Sequence, residues 1–400
     1  MTSRKSGLLL AAIILLSQAP NAHARQSDTS FDDSSSIEVS NSVDKERQDT
    51  KRQIDENKSA PPIPSILPAS GLVMTPQQQR AATKGASAIT PLTNGNKISS
   101  KTASGRPTVA IALGGGGARG AAHVGVLRVL KEEGIPIDEV VGNSMGSIVG
   151  GLYSAGVSLD DIAKDLEDLS LRKAYMPGGI AKQIAILPFD RLLHPLGPKH
   201  YAGLWSGKTL TKYLDNALPR PNMEIGDTQI PFSPIATNLL DGKAYRLTKG
   251  RLSTAIKASS AISPIIQPVA MGDKLFIDGG VRANLPAEAA RGTGAGFVIA
   301  VLVDEPMQQV PSDRFRKVKY VAARMSDIVL AIADERQLQF ADLVINPNVS
   351  DIPILSKNPK DVRKAELAGE MAARKAIPEL RKRLGLASTT AALTAEPIAQ

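Results

Sequence analysis

Apolar and polar positions divide the chain into stretches of different periodicity. Thr108–Leu113 is a short apolar run closed by four glycines, which predicts a buried strand. From Ala118 to Glu133 apolar residues recur at helical spacing, and Gly134 supplies a C-terminal cap. Val140–Asn143 predicts a second strand, followed by a helix rich in small residues, Gly146–Ala155. Ser158 with Asp161 three residues later is a capping-box pattern and starts a third helix. Asp241-Gly242 between two β-prone runs predicts a hairpin. Leu275–Ile277 and Phe297–Val303 predict further strands, and Lys364–Leu384 an amphipathic terminal helix. Strands alternating with helices imply an α/β fold: a mainly parallel central sheet with helices on both faces, three layers in all.

The ends follow other patterns. Arg4 and Lys5 precede the apolar run Gly7–Leu16, and Ala22-His23-Ala24 offers a small-x-small cleavage site. Residues 1–24 therefore predict a cleaved secretory signal peptide, too short in its apolar part to span a bilayer. Export to the periplasm or outer membrane, or secretion, is expected. Residues 25–106 are polar and punctuated by Pro61, Pro62, Pro64 and Pro68, so they bury too little apolar surface to offset chain entropy and read as a linker. The folded domain is expected over 107–386, with a small, polar tail at 387–400.

Composition narrows the chemistry. The 400 residues include no cysteine, which excludes disulfides, thiolate metal sites and a cysteine nucleophile. A net charge of +9 suits acidic partners, phospholipid headgroups among them, with little specificity.

Gly142-Asn143-Ser144-Met145-Gly146 is a G-x-S-x-G between a predicted strand and helix, the setting in which a serine hydroxyl is exposed on a sharp turn as a nucleophile. The four histidines are His23, His123, His194 and His200, and none follows His200. Either of the last two could serve a triad with an acid such as Asp161, but the spacing is tight and disfavours a conventional triad. Asp278, in the turn Asp278-Gly279-Gly280, offers a carboxylate base instead. Free aspartate, with a pKa of about 3.9, is a weak base for an alcohol, and partial burial would raise it. Gly114–Gly117, Ala118, Arg119 and Gly120 place unhindered N–H groups at a helix N-terminus, an anion site. The same stretch satisfies a dinucleotide fingerprint, but the second strand ends in Asn143-Ser144 without the acid that holds a ribose. A phosphate-binding P-loop fails, because Ala121 and Ala122 stand where Lys and Ser or Thr are required.

Gly115-Gly116-Gly117-Ala118-Arg119-Gly120, the G-x-S-x-G at Ser144 and the D-G-G at Asp278 resemble, in order, the three signature blocks of patatin-like phospholipases. Ala258-Ser259-Ser260-Ala261 and Asn284-Leu285-Pro286 resemble that family too, and the likeness runs from about Pro107 to Leu384. The resemblance implies a histidine-free dyad with Ser144 acylated and Asp278 as base, and an oxyanion hole at Gly115, Gly116 and Gly117. Gly120, Gly142, Gly146, Gly279 and Gly280 are its motif glycines. Arg119 would position the loop or a substrate phosphate. No metal or cofactor is implied, and a phospholipid or other lipid acyl ester is the expected partner, with transient contact at a membrane surface and no nucleic acid. Some exported relatives carry a C-terminal barrel, for which too little chain follows here. The competing readings are a non-catalytic lipid carrier and an esterase or thioesterase acting on another acyl group.

Two features remain open. His123 reads as a packed or hydrogen-bonded helix residue rather than a catalytic one. Residues 171–205 hold Arg172, Lys173, Lys182, Arg191 and Lys199 against Asp190, interleaved with Tyr175, Phe189, Tyr201 and Trp205. That stretch is either a cap that meets a lipid surface or an insertion packed on the domain.

Overall fold

Side-chain alternation along β1 (Val109–Leu113) sets the frame of the fold. The computed structural model describes residues 97–179, 201–304, 307, 309–316 and 318–387. The predicted signal peptide, most of the linker, the tail from residue 388, and His194 and His200 lie outside them. In β1, Val109, Ile111 and Leu113 enter one core, while Ala110 and Ala112 enter the other. All five are shut off from solvent, as a strand covered on both faces requires.

A 3-10 turn at Gly117–Ala121 leads into α1 (Ala122–Glu132), then β2 (Glu139–Asn143) and α2 (Met145–Ser154). Next come α3 (Leu159–Glu167), α4 (Ser170–Tyr175) and α5 (Lys208–Ala217). β3 (Phe232–Asn238) and β4 (Ala244–Arg246) form the hairpin expected at Asp241-Gly242. α6 (Leu252–Ser259), β5 (Val269–Met271), β6 (Lys274–Asp278), α7 (Gly280–Ala283) and α8 (Ala287–Gly292) follow. The chain continues through β7 (Phe297–Val301), α9 (Val318–Leu338), β8 (Leu343–Ile345) and α10 (Pro359–Leu384).

The sheet runs β5-β6-β3-β2-β1-β7-β8, with β4 also on β3. Its centre, β3-β2-β1-β7-β8, is parallel, and β4, β5 and β6 pair antiparallel. α1, α2, α6 and α10 supply the core on the face of Ile111, and α8 with the end of α9 supplies an alanine-rich core on the other. This is the three-layer α/β architecture expected from the alternation of elements.

Two boundaries differ from the periodicity. The first helix tightens to 3-10 geometry before Ala122, because the glycine loop enters it steeply. The last begins at Pro359, where the Asn358 side chain caps the Lys360 N–H and proline takes an early position that needs no donor. α9 was hidden because its apolar residues do not gather on one face.

α10 lies against α1 at backbone contact. A Cβ on Gly369 would stand 2.0 Å from the Ala122 carbonyl oxygen, and one on Gly125 would stand 2.0 Å from that of Glu366. The pair anchors the helix that carries the glycine loop. Gly369→Ala is therefore expected to push the helices apart and destabilise the fold by about 1–3 kcal/mol, against a gain in helix propensity of about 1 kcal/mol. Chemical unfolding checks this, and an unchanged midpoint would contradict the packing described.

Candidate active site

Ser144 is the single residue between β2 and α2. It sits at φ 49° and ψ −118°, a conformation that a non-glycine residue holds only when its surroundings over-determine it. The Ser144 N–H donates to the Ser259 carbonyl at 3.2 Å. Gly146 lets α2 start against β1, since a Cβ there would lie 2.2 Å from the Leu113 carbonyl oxygen. Gly142 packs on the Gly146 carbonyl in the same way, and Gly120 packs on Met145. The hydroxyl is thus set at the C-terminal end of the parallel strands, above a helix N-terminus.

Asp278 ends β6, opposite Ala236 of β3. The Gly279 N–H reaches the same Ser259 carbonyl that receives Ser144, at 3.4 Å, and the Asp278 N–H donates to Ala261 at 3.0 Å. One carbonyl at the end of α6 therefore ties the serine turn to the aspartate turn. Gly279 sits on Ile235 and Asn143, and Gly280 donates its N–H to Asp278 Oδ1 at 2.8 Å. Burial pushes the Asp278 carboxyl up to about 6, while the Ser144 hydroxyl, the Gly280 N–H and the Asn143 amide draw it back. Its Oδ2 has no partner in full hydrogen-bond geometry. The serine hydroxyl is near enough to act on the carboxylate's charge, without a well-formed bond to it.

The glycine loop is held from below. Gly114 donates to Val301 at 3.2 Å, and Gly115 donates to the Asn284 carbonyl at 3.1 Å. The N–H of Gly115, expected in an oxyanion hole, is thus committed to the protein itself. Sequence could not foresee this, because the acceptor is 169 residues away. Gly116 and Gly117 donate no backbone N–H to any described residue, and Ala118 N–H goes to Ile354 at 2.7 Å. Arg119 is buried, with Nε donating to the Ile352 carbonyl at 2.6 Å and a guanidinium nitrogen 3.7 Å from Asp327. That geometry steadies the loop. His123 is buried with Nε2 2.7 Å from the Gly114 carbonyl, and burial lowers it to about 4, so it is a neutral donor there.

Behind the loop lies a polar cluster that motif reading did not assemble. Asn143 Nδ2 donates to the Asn284 backbone and side-chain oxygens, each at 3.3 Å. Asn284 Nδ2 in turn meets Asp304 at 3.1 Å and Asp334 at 3.0 Å, and Asp334 takes the Leu285 N–H at 2.5 Å. Burial and the adjacent Asp304 carboxyl hold Asp334 well above the usual carboxylate range. The two acids fix which way the Asn284 amide points, and hence the acceptor that Asn143 meets. The Asn284-Leu285-Pro286 motif was the only sequence signal; Asp334, on α9, gave none.

Ser144 opens into a pocket whose walls are chiefly apolar, including Ile148, Leu166, Leu171, Met176, Ile262 and Ile354. It encloses about 690 Å³ when the open solvent at its mouth is counted. Tyr175 is buried beside it, its hydroxyl donating to the Ser260 carbonyl at 2.5 Å. Trp205 is also buried, donating to Pro177 at 3.1 Å. Among the described aromatics of 171–205, only Tyr201 is exposed, so Tyr175 and Trp205 serve packing and not a lipid surface.

Comparison with known proteins matches residues 111–291 to the family model described as Patatin-like phospholipase. An uncharacterized NTE family protein of Mycobacterium tuberculosis (strain ATCC 25618 / H37Rv) is 38% identical over 196 residues, 49% of this chain and 49% of the relative. The patatin-like phospholipase domain-containing protein 6 of Homo sapiens is 30% identical over 197 residues, 48% of this chain and 13% of that protein. The match thus spans about half of the first relative and a small part of the second. Among solved structures, VipD from Legionella pneumophila is 14% identical, covering 75% of this chain and 73% of its own, with a TM-score of 0.37.

Removing the Asn284 side-chain amide takes a donor from Asp304 and Asp334 and one acceptor from Asn143, while Asp334 keeps the Leu285 N–H and Asn143 keeps the Asn284 backbone carbonyl. The protein is expected to lose about 1–3 kcal/mol of stability. Asn284→Asp adds a third acid to the cluster, so it should destabilise more than Asn284→Ala above neutral pH, with the gap closing in acid. Urea unfolding of both variants at two pH values measures this, and equal effects at both would contradict the raised Asp334 carboxyl in the cluster.

Proposed function

We propose, from the premise that residues 111–291 are a patatin-like phospholipase domain, that the protein hydrolyses acyl esters of lipids, phospholipids and lysophospholipids foremost. The observation that carries this is a strained, buried serine that lines an apolar pocket, beside a buried carboxyl raised to about 6. A serine hydroxyl is a poor nucleophile until a base takes its proton, and a carboxylate is a better base when burial destabilises its charged form.

In the mechanism, Ser144 Oγ bonds to the ester carbonyl carbon as its proton passes to Asp278. Oδ2 is the oxygen free to receive it. The tetrahedral oxyanion lies against the uncommitted N–H groups of Gly116 and Gly117 at the N-terminus of the 3-10 turn. Collapse breaks the ester C–O bond, and Asp278 returns the proton to the leaving alcohol. Water then attacks the acyl-serine with Asp278 again as base, releasing the fatty acid and restoring Ser144. The apolar walls take the acyl chain, whose burial contributes about 0.8 kcal/mol per methylene.

Ser144→Ala and Asp278→Asn are each expected to lower fatty-acid release from mixed phospholipid and lysophospholipid vesicles by on the order of 10⁴-fold. Release that survives Ser144→Ala would overturn the proposal. A fluorophosphonate probe that fails to label Ser144 would move the reading to a lipid carrier.

The active form needs Asp278 unprotonated. Because that group lies near 6, kcat/KM should fall about tenfold per pH unit below 6 and stay level above it. The limb should vanish from the residual activity of Asp278→Asn. A profile flat down to pH 4 would exclude Asp278 as the base.

We extend the proposal to export through residues 1–24, on the charged, apolar and small-residue pattern of that stretch. N-terminal sequencing of protein from a bacterial periplasmic fraction should begin at Arg25, and product retained in the cytosol with its leader would overturn it.

A further inference from the structure

Arg172 on α4 is the one charged residue among the described residues that line the Ser144 pocket. Its Nε is closed to solvent and has no hydrogen-bond partner among the described residues. Burial pulls the guanidinium below its ordinary range, with no carboxylate among the described residues acting in the other direction. Asp168, four residues earlier, spends its Oδ1 on the Ser170 N–H at 2.7 Å.

Other arginines of the described fold are treated differently. Buried Arg119 has Ile352 and Asp327, and buried Arg246 has Glu139 at 3.2 Å. Half-buried Arg128 is paired with Asp160, Glu366 and Glu370. Arg172 alone among these faces an apolar cavity without a counter-charge. The neighbouring polar groups do not help it: the Tyr175 hydroxyl is committed to Ser260, and the remaining walls are largely aliphatic.

An unpaired donor of a charged group is costly in such a place, and guanidinium keeps its charge rather than neutralise. A ligand that brings anionic oxygens removes the penalty and gains a charge-assisted, fork-shaped bond that a neutral ligand does not. We propose that Arg172 is the anion subsite of this pocket and selects acyl esters that carry a phosphate over neutral acyl esters of the same chain. This rests on the lipid-hydrolase reading, and it adds to that reading the residue and the charge that decide among substrates.

The test separates the two ideas by measuring binding first. In a Ser144→Ala background, equilibrium binding compares a monoacylglycerol phosphate with the monoacylglycerol of the same chain, both below their aggregation limits. Adding Arg172→Gln should weaken the phosphate-bearing ligand by about 10- to 100-fold, the range of one charge-assisted contact, and leave the neutral one within about twofold. Arg172→Lys should recover part of the difference, keeping the charge but not the fork. Equal weakening of both ligands, or of neither, would overturn the proposal whether or not the protein proves to be a hydrolase.

With Ser144 intact, the same loss should fall on KM for the phosphate substrate more than on kcat. The free fatty acid offers a second source of anionic oxygens. If Arg172→Gln relieves product inhibition while the substrate preference is unchanged, Arg172 holds the carboxylate and the phosphate assignment fails. Inorganic phosphate, added as a competitor, should weaken binding of the phosphate-bearing ligand only while Arg172 is present. Thermal unfolding is the folding control. An arginine kept for a structural ion pair would lower the melting temperature when lost, whereas loss of an uncompensated cation should leave it unchanged or raise it.

Discussion

The site depends on one residue held where it would not go by itself. Ser144 at φ 49° gives up about 1–3 kcal/mol of backbone preference, and the surrounding fold is arranged so that no alternative is open to it. β2 delivers it, α2 begins at the next residue, and its N–H is drawn to the Ser259 carbonyl at the end of α6. That carbonyl also receives the Gly279 N–H, so the two turns cannot drift apart without losing a shared acceptor. The Ala258–Ala261 segment therefore acts as the strut between the Ser144 turn and the Asp278 turn.

Burial then does chemical as well as structural work. The same dry surroundings raise Asp278 toward neutrality, hold His123 neutral under the Gly114 carbonyl, push Asp334 up beside Asp304 and leave Arg172 without a counter-ion among the described residues. Where the structure supplies a partner, the group becomes scaffolding, as with Arg119 on Ile352 or Gly115 on Asn284. Where it withholds one, the group is available to something that arrives from outside. Among the described residues, Asp278 Oδ2, the N–H groups of Gly116 and Gly117, and Arg172 Nε are of this second kind, and Gly117 and Arg172 line the pocket that Ser144 opens into.

Much of this was legible beforehand because it is written locally. Apolar runs and helical spacing announced β1, β2, α1 and α10 within a few residues, since a strand or helix shows its period in its own sequence. The serine turn was legible because only glycines allow the close approaches on either side of it, and Asp278 because D-G-G ends a short strand without bulk. α9 and the antiparallel edge were not. A helix apolar on more than one face has no clean period, and strand order depends on pairings between residues far apart in the chain.

The sequence by itself thus determined which groups are candidates for chemistry: a serine set between glycines, an aspartate at a strand end, a run of backbone donors, and no histidine after His200 to serve as a late triad member. Only the tertiary structure decided which of them are free to use it. Whether a donor such as Gly115 is spent, whether an acid such as Asp278 is dry, and whether a cation such as Arg172 is answered are set by neighbours that fold in from elsewhere in the chain. Hydrogen bonding and desolvation act over a few ångströms of space, and spacing along the sequence does not measure that distance.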